Sequence, residues 1–503
     1  MADAKRLAKN TLFMYLRMIL IMAVSIYTSR VVLDKLGVDD YGIYNAVASI
    51  VAMVIFLNTT LSTSTSRFLT YDLGNGDTEK LKNTFSTSFY THLVLAGIIV
   101  LLLETVGLWY MGHEFVIPEG REFAVHVVYQ VSILTTTIAV IQVPYTAAIL
   151  AHENMDLYAY IGIADAVLKL GIAFMLSFSS MDKLVLYALL LAIEQIIIAL
   201  AYFIVSHMKY VETVLKRYFS KETFGRMMGF TGWTAVANLS NTIVVQGAVV
   251  LLNLFFAPAI IAAKALADQI SNAVMRFIEN FRLALNPQII KSYAAGEMEE
   301  FRKWSLRSTV VSFNLMMVIG LPCMASMQGI LNIWLVEVPP LAVEFTQLAI
   351  LAHLVGCISS STYIPFVASG KLKLNAITGT ITGFGYFIIL YVLLRLGSGA
   401  LWVQWLYLIL MLLSVFWLRP YLLHKEVGFT YKEVYSCIWE CFRPMVVASI
   451  IAVGIMYFFN ETLPQQACLF ALVFIETCIV AWLFIDRQMR RYFINMIKTK
   501  IRR

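Results

Sequence analysis

Residues 17–57 read RMILIMAVSIYTSRVVLDKLGVDDYGIYNAVASIVAMVIFL, two apolar runs separated by a short polar turn around Gly37. Each run, extended by its flanks, is long enough to cross a hydrocarbon core about 30 Å thick as an α-helix rising about 1.5 Å per residue. Gly37 can end the first helix in the left-handed conformation, and Asp39 or Asp40 can cap the second. The stretch predicts a hairpin of two membrane-spanning helices.

The same apolar pattern continues along the whole chain. Of its 503 residues, 60% are hydrophobic and only 14% are charged, whereas soluble proteins carry about a quarter charged residues. We therefore predict an all-α, polytopic membrane protein and exclude a secreted enzyme, a cytosolic enzyme and a nucleic-acid-binding domain. The fourteen predicted spans have approximate cores at 11–33, 42–65, 85–109, 123–148, 157–178, 184–206, 229–255, 260–285, 308–332, 343–368, 375–396, 400–419, 444–460 and 467–486.

The motifs of common catalytic and metal-binding sites are missing from the sequence. The six cysteines contain no C-x-x-C pair, and no G-x-x-x-x-G-K-[ST] phosphate loop occurs. The predicted loops reach about 20 residues, whereas a folded domain needs at least about 50. We predict that the chain is not an enzyme and holds no metal or organic cofactor, which leaves H⁺ or Na⁺ as candidate coupling ions.

The distribution of basic residues predicts the orientation. With the N-terminus in the cytoplasm, 27 of the 38 Lys and Arg residues fall in cytoplasmic segments and 4 in outer loops. Because cytoplasmic loops carry the excess of positive charge, this bias predicts an even number of spans with both termini inside. The predicted location is the cytoplasmic (inner) membrane.

A weak internal repeat predicts how the spans are grouped. Shifting the chain by 220 residues places Gly76-Asp77 on Gly296-Glu297, in the turn after the second span of each half. A chance match of similar loops is the alternative interpretation. A parallel repeat predicts a six-helix lobe over 1–210, a second over 211–425, and two further helices with a basic tail over 426–503. Two such lobes are typical of transporters in which one lobe rocks against the other.

The eighth predicted span carries charges that are costly inside a membrane. At 100° per residue its polar side chains fall within about 120° of one face, and several are spaced to form ion pairs. One interpretation is a structural network that neutralises itself; the other, which we favour, is a cationic wall of a cavity. The candidate substrate-binding residues on this span are Lys264, Asp268, Asn272, Arg276 and Arg282, and Glu279 lies on the same face.

The first span adds two candidate substrate-binding arginines. Arg30 has Asp34 one turn further on, so it could form an interfacial pair. Arg17 has no acidic residue three or four positions away and therefore needs a partner from another helix or from a substrate. A phosphate group would serve, because guanidinium binds phosphate through two parallel hydrogen bonds.

Three acidic residues in or near spans are candidates for ion coupling: Glu104, Asp165 and Glu194. Each could carry a proton or sodium ion, or could have a purely structural role. For Asp165 the structural alternative is specific, because Lys169 lies four residues further along the same predicted helix and is spaced to form an ion pair.

The segment from Arg30 to Tyr44 has the pattern R-x-x-L-x-x-L-G-x-x-D-Y-G-I-Y. It resembles the N-terminal signature of the Wzx-type flippases of O-antigen and capsule synthesis, in the multidrug/oligosaccharidyl-lipid/polysaccharide (MOP) exporter superfamily. The resemblance implies a MATE-like, V-shaped pair of lobes with a cationic cavity and a lateral opening between spans 1 and 8. It makes Arg17 the matching cavity arginine and Arg30 a second, and fourteen spans favour the lipid-transporting branch.

The resemblance also implies the function and its partners. The chain is expected to move a polyprenyl-pyrophosphate-linked oligosaccharide from the inner to the outer leaflet, with membrane lipid and a polysaccharide polymerase as partners and without nucleic acid. The alternative within the superfamily is a drug or cation antiporter, which would need a cavity dominated by acids. A membrane polymerase or ligase would need a larger outer loop than any predicted here.

Overall fold

The computed structural model describes residues 2–74, 76–459 and 462–484, and the basic C-terminal tail predicted above lies outside them. Within this part the chain is all-α, as predicted, and contains no strand. Its fourteen long helices each overlap one predicted span. They are α1 (Ala2–Leu36), α2 (Val38–Gly74), α3 (Thr78–His113), α4 (Glu122–Ala151), α5 (Met155–Met175), α6 (Lys183–Lys209), α7 (Lys221–Phe255), α8 (Pro258–Ala294), α9 (Met298–Ala325), α10 (Ala342–Ser361), α11 (Lys373–Arg395), α12 (Trp402–Val427), α13 (Tyr431–Met456) and α14 (Leu463–Phe484).

Twelve helices in the described part are long and apolar enough to cross a membrane. This confirms a multi-pass membrane protein. Among the described residues, α8 does not meet this criterion. The sequence places the polar stripe on α8, so its low hydropathy reflects the charges that make it a candidate for a functional site.

The hairpin between α1 and α2 has the predicted turn. Gly37 has a φ of +82°, a left-handed conformation that favours glycine, and its N–H donates to Leu33 O over 2.8 Å. The second glycine of the motif, Gly42, is required for close packing rather than for a turn. A Cβ there would lie 2.0 Å from the carbonyl oxygen of Pro258, so only glycine allows this close approach of two backbones.

The chain divides by packing into two compact units. One comprises residues 1–262 and 379–397, and the other comprises 263–378 and 398–503. In the first, α4 packs against α2 and α6, and α1 packs against α5. Most of α11 also belongs to it, because the Ser240 hydroxyl of α7 donates to Gly379 O over 2.6 Å. In the second unit, α9 packs against α10, α13 and α14. The predicted lobe boundaries at 210 and 425 remain predictions.

The turns that carried the internal repeat have the same backbone conformation. Gly76, between α2 and α3, has a φ of +72°, and Gly296, between α8 and α9, has a φ of +76°. Each glycine therefore reverses the chain in the left-handed region after the second long helix of its half. The repeat of about 220 residues itself remains a prediction.

Candidate functional site

In the first unit, Arg17 is held against α5 by two neighbouring positions of that helix. Its guanidinium carbon lies 4.1 Å from the centroid of the Tyr158 ring, a cation–π contact. One turn along, a Cβ added to Gly162 would lie 2.4 Å from Arg17 Nε. The missing side chain at Gly162 therefore makes the space in which the guanidinium lies.

Arg17 has no matching negative charge in direct contact. Its Nε is buried and has no hydrogen-bond acceptor, and no carboxylate among the described side chains forms an ion pair with it. Asp165 is within electrostatic reach, but an oxygen of that carboxylate already accepts from Lys169 over 2.6 Å. The guanidinium thus keeps capacity for a further acceptor.

Two of the three candidate coupling acids meet at one lysine. Lys169 Nζ lies 2.6 Å from Asp165 Oδ1 and 3.9 Å from Glu194 Oε2. The predicted Asp165–Lys169 pair is therefore present, and Glu194 joins it from α6. The Glu194 side chain is only 3% exposed, and its Oε1 is buried without a hydrogen-bond partner. An unpartnered carboxyl oxygen in such a place is a capable acceptor for a proton or a cation.

Glu104 contacts α4, and the acid expected to pair with Arg30 contacts a lysine instead. Glu104 is half-buried and accepts from Gln130 Nε2 over 3.3 Å, with no part in the Lys169 pair. Arg30 is also half-buried, and Asp34, its expected partner, forms an ion pair with Lys35 over 2.8 Å. Both remain candidates from the sequence alone.

The C-terminal half of α2 lines a cavity of about 670 Å³, the hydroxyl-rich cavity, in which four of the six lining residues carry a hydroxyl group. A sugar could be held there, because hydroxyl and arginine side chains supply both donors and acceptors. The lining residues are Ser62, Ser66, Arg67, Thr70, Tyr71 and Leu150. The C-terminal half of α2 thus forms part of an open hollow within the first unit.

In the second unit, the polar stripe of α8 begins with a closed ion pair. Lys264 Nζ donates to both carboxylate oxygens of Asp268, over 2.6 and 2.5 Å, as their spacing predicted. The side chain of Lys264 is 6% exposed and that of Asp268 is 27% exposed. The lysine charge is therefore matched within its own helix, and the net positive charge of the stripe must come from its other end.

That other end is more open. Asn272, Arg276 and Glu279 are exposed, and Arg282 is half-buried against α10. Arg282 Nη1 donates to Ser360 Oγ over 2.7 Å and to Ser361 Oγ over 3.3 Å. The structure therefore separates the stripe into the matched Lys264–Asp268 pair and a cationic end around Arg276 and Arg282.

One further arginine, Arg419, is not among the predicted site residues, because it lies at the last position of the twelfth predicted span. It lies inside α12, where its Nε donates to Ser359 Oγ over 2.7 Å and its Nη1 donates to Asn375 Oδ1 over 2.6 Å. The apolar residues 420–423 that follow it could have signalled that the helix continues. No carboxylate among the described side chains forms an ion pair with it.

No protein-family model matches the chain, and no curated protein matches it. Solved structures do. The lipid II flippase MurJ in an inward closed conformation aligns with a TM-score of 0.70 at 12% identity, covering 97% of this chain and 100% of that one. The chain therefore has a fold similar to that of this flippase structure. An inward-facing multidrug-resistance MATE transporter of the MOP superfamily gives 0.65 at 12% identity, covering 79% and 93%. A MOP transporter from Pyrococcus furiosus gives 0.52 at 12% identity, covering 97% and 96%.

Proposed function

We propose that the chain is a flippase that moves a polyprenyl-pyrophosphate-linked oligosaccharide from the inner to the outer leaflet of the cytoplasmic membrane, for O-antigen or capsule synthesis. The observation that carries the proposal is the Arg17 guanidinium. It is fixed by Tyr158 and Gly162, and its buried Nε has no acceptor in the described part of the chain. A diphosphate is the membrane-borne group that would supply matching charge and acceptors.

The architecture supports a lipid-linked substrate. The aligned MurJ structure, a lipid II flippase, covers 97% of this chain with a TM-score of 0.70, whereas the Pyrococcus furiosus MOP transporter covers the same share with a TM-score of 0.52. The similarity to MurJ therefore extends over nearly all of the fourteen helices. Both termini are proposed to be cytoplasmic, and a polysaccharide polymerase is the proposed downstream partner.

The transport step needs no bond to be made or broken. Arg17, Arg276 and Arg282 would attract the diphosphate, and the hydroxyl-rich cavity beside α2 would accept sugar hydroxyls while the prenyl chain stays in the bilayer. An alternating-access change would then present the head group outside. An inside-negative potential favours this movement by about 2.3 kcal/mol per charge per 100 mV.

Ion coupling is a second part of the proposal. Asp165 and Glu194, which share Lys169, are the proposed H⁺ or Na⁺ carriers, with Glu104 as the third candidate. The buried, unpartnered Glu194 Oε1 is also the observation that favours the alternative function, a drug or cation antiporter. The two functions differ in whether Arg17 or Glu194 dominates recognition of the substrate.

The test uses the purified full-length chain in lipid vesicles that contain a polyprenyl-diphosphate oligosaccharide. Flipping is followed as the rate at which the sugar becomes accessible to an impermeant glycosidase. Arg17→Ala should slow flipping about tenfold or more, because a charge-assisted hydrogen bond contributes about 1.5–3 kcal/mol. Arg395→Ala is the control, because that exposed arginine contacts only Tyr391 among the bonds described. Unchanged flipping by Arg17→Ala would contradict the proposal.

A further inference from the structure

Four residues of α5, spaced four, three and four positions apart, form a stripe along one face of that helix. They are Tyr158, Gly162, Asp165 and Lys169. Arg17 of α1 lies against the first two, 4.1 Å from the centroid of the Tyr158 ring and in the space left at Gly162. One turn further on, the Asp165 carboxylate is within electrostatic reach of Arg17 and accepts from Lys169 over 2.6 Å. The stripe therefore connects the candidate substrate arginine to a candidate coupling acid.

A second carboxyl group, from α6, joins the first to form a pair. Glu194 Oε2 lies 3.9 Å from Lys169 Nζ, the ammonium that also contacts Asp165, and the Glu194 side chain is only 3% exposed. The two carboxyl groups are also within hydrogen-bond reach of each other. Ionised carboxylates are acceptors only, so a hydrogen bond between two of them requires a proton on one. This arrangement is that of two acids that share one proton.

The shared proton determines the net charge of the cluster. The cations are Arg17 and Lys169, and the acids are Asp165 and Glu194. With one shared proton, two positive charges face one negative charge, and the net charge is +1. Without the proton, two positive charges face two negative charges, and the net charge is zero. The excess charge lies mainly on Arg17, because Lys169 has a carboxylate oxygen at 2.6 Å and Arg17 has no such contact.

The other groups around the two acids do not change charge near neutral pH. Three phenols interact with one acid or the other, and the ordinary pKa of a phenol is about 10. They are Tyr44, Tyr187 and Tyr202. Beside Glu194, α6 contacts α4 through uncharged amides, since Gln195 Nε2 donates to Gln142 Oε1 over 3.0 Å. Among these described groups, the proton on the two acids is therefore what changes the charge around Arg17.

We propose that Asp165 and Glu194 share one proton and that this proton makes Arg17 available to an anionic head group, so that binding of a lipid-linked diphosphate takes up a proton. The O–H bond forms on one of the two carboxyl groups, and the proton comes from the surrounding water. The choice of a diphosphate rests on the proposed function. Because coupling between two ligands is reciprocal, protonation strengthens diphosphate binding by the same factor by which the diphosphate strengthens protonation. The acids then bind H⁺ rather than Na⁺, and the proton and the anion bind together instead of competing.

The test measures binding of farnesyl diphosphate by the full chain in nanodiscs of zwitterionic lipid. Glu194→Gln is the reference, because its amide can donate to Asp165 as a protonated carboxyl would, but does not titrate. Dividing the wild-type Kd by that of Glu194→Gln cancels the titration of the diphosphate itself. From about pH 5 to 9 this ratio should rise at least tenfold, since one linked proton changes affinity by up to about tenfold per pH unit. Calorimetry in two buffers with different heats of ionisation should show that the wild type takes up about one proton more than the variant at the high end of this range.

A second variant removes the shared proton from the other acid. Asp165→Asn leaves one carboxylate for two cations, so it should bind diphosphate without a linked proton, as Glu194→Gln does. Glu119→Gln, which changes an exposed carboxyl of the same unit, is the control and should behave like the wild type. A Kd ratio that stays constant with pH would overturn the proposal. So would a wild-type Kd that depends on the Na⁺ concentration at constant pH and ionic strength while that of Glu194→Gln does not, because the acids would then hold a sodium ion.

Failure of the coupling and failure of the proposed function give different results. The binding assay requires no transport, and Arg17→Ala should lose diphosphate affinity about tenfold or more together with the linked proton uptake. A chain that takes up the proton with diphosphate but flips no oligosaccharide would contradict the function and keep the coupling. A chain that flips the oligosaccharide through Arg17 but takes up no more protons than Glu194→Gln would keep the function and overturn the coupling.

Discussion

Two cations of the second unit show opposite ways of placing a positive charge in a membrane helix bundle. Lys264 contacts both oxygens of Asp268, one turn along its own helix. Arg419 contacts a serine hydroxyl and an asparagine amide from two other helices. In the first case the bundle balances the charge itself, and in the second it orients the charge and leaves it unbalanced.

The difference indicates which charges are available to a ligand. A closed pair offers little to an incoming anion, because binding would first require the pair to separate. A guanidinium held by neutral groups keeps its full charge, and a cation left unbalanced in a membrane is a functional candidate. Of the predicted stripe on α8, we therefore assign Lys264 and Asp268 mainly to stability and keep Arg282, which lies outside that closed pair, as a candidate for binding.

The largest expected effect is on stability, at the closed pair. Asp268→Asn leaves the Lys264 ammonium buried without its counter-charge, and breaking a buried pair in this way costs about 3 kcal/mol or more. The free energy of unfolding of the purified chain, measured by SDS titration in mixed micelles, should fall by about that amount. The double variant Lys264→Met with Asp268→Leu should recover most of the loss, because no charge is left unpaired.

The matched control for that experiment is Arg419→Met. It removes a cation but leaves only hydroxyl and amide groups behind, so it should cost about 1–3 kcal/mol, the penalty of unsatisfied neutral groups. A loss for Arg419→Met as large as that for Asp268→Asn would break the comparison, because Arg419 would then be needed to balance a charge within the protein.

The parts of this structure that the sequence predicted are local ones. The α1–α2 hairpin, the left-handed Gly37 and the Lys264–Asp268 pair all depend on residues within about two turns, where helical periodicity determines geometry. The fourteen helices were predicted for the same reason, since hydropathy over a window of about 20 residues decides whether a helix can cross a membrane.

The parts that the sequence did not predict depend on which helices touch and at what depth. Arg419 takes its partners from residues 60 and 44 positions away, and Glu194 reaches Lys169 from the next helix. The twelfth predicted span ends at Arg419, whereas the structure continues α12 to Val427. Gly42 is a similar case, because glycine is required there by the backbone of Pro258, which lies far along the chain.

A second prediction extends the comparison to Arg17. In Gly162→Ala the new Cβ would lie 2.4 Å from Arg17 Nε, so the flexible guanidinium must move while the backbone need not. Gly171→Ala on the same helix has no atom within 4 Å of its new Cβ, and it shares any gain in helix propensity of about 1 kcal/mol. Flipping by Gly162→Ala should fall about tenfold relative to Gly171→Ala, since one misplaced charge-assisted hydrogen bond is worth about 1.5–3 kcal/mol.

The free energies of unfolding of the two alanine variants should agree within about 0.5 kcal/mol, the usual range for a substitution that creates no buried defect. Equal free energies of unfolding would distinguish Arg17, which is assigned to binding, from Lys264, whose charge is assigned to stability. Equal flipping rates in the two variants would show that the exact position of the guanidinium against α5 does not matter, and Arg17 would then lose its assigned role in binding.

The smallest expected effect is at an exposed ion network, where charge is balanced but solvent screens it. In the first unit, Arg121 bonds to Asp40 and Asp182, and Asp182 also accepts from the N–H groups of Leu184 and Val185 at the start of α6. Asp182→Asn keeps a good helix cap and removes only the charge. The expected loss is at most about 1 kcal/mol, as for other exposed ion pairs.

The sign of its pH dependence follows from the pKa of Asp182. Partial burial alone would raise that pKa, but the N–H of Val185, the Arg121 guanidinium and the N–H of Leu184 together hold it below the usual value. The carboxylate therefore contributes stability above the ordinary aspartate pKa of about 3.9, and this contribution is lost as the pH falls through the lowered folded-state pKa. The difference in Tm between wild type and Asp182→Asn should be constant from about pH 5 to 8 and shrink below about pH 4. A Tm difference that widens on acidification would mean that folding disfavours the charged form of Asp182. The Arg121 guanidinium would then not be enough to balance the charge of that carboxylate.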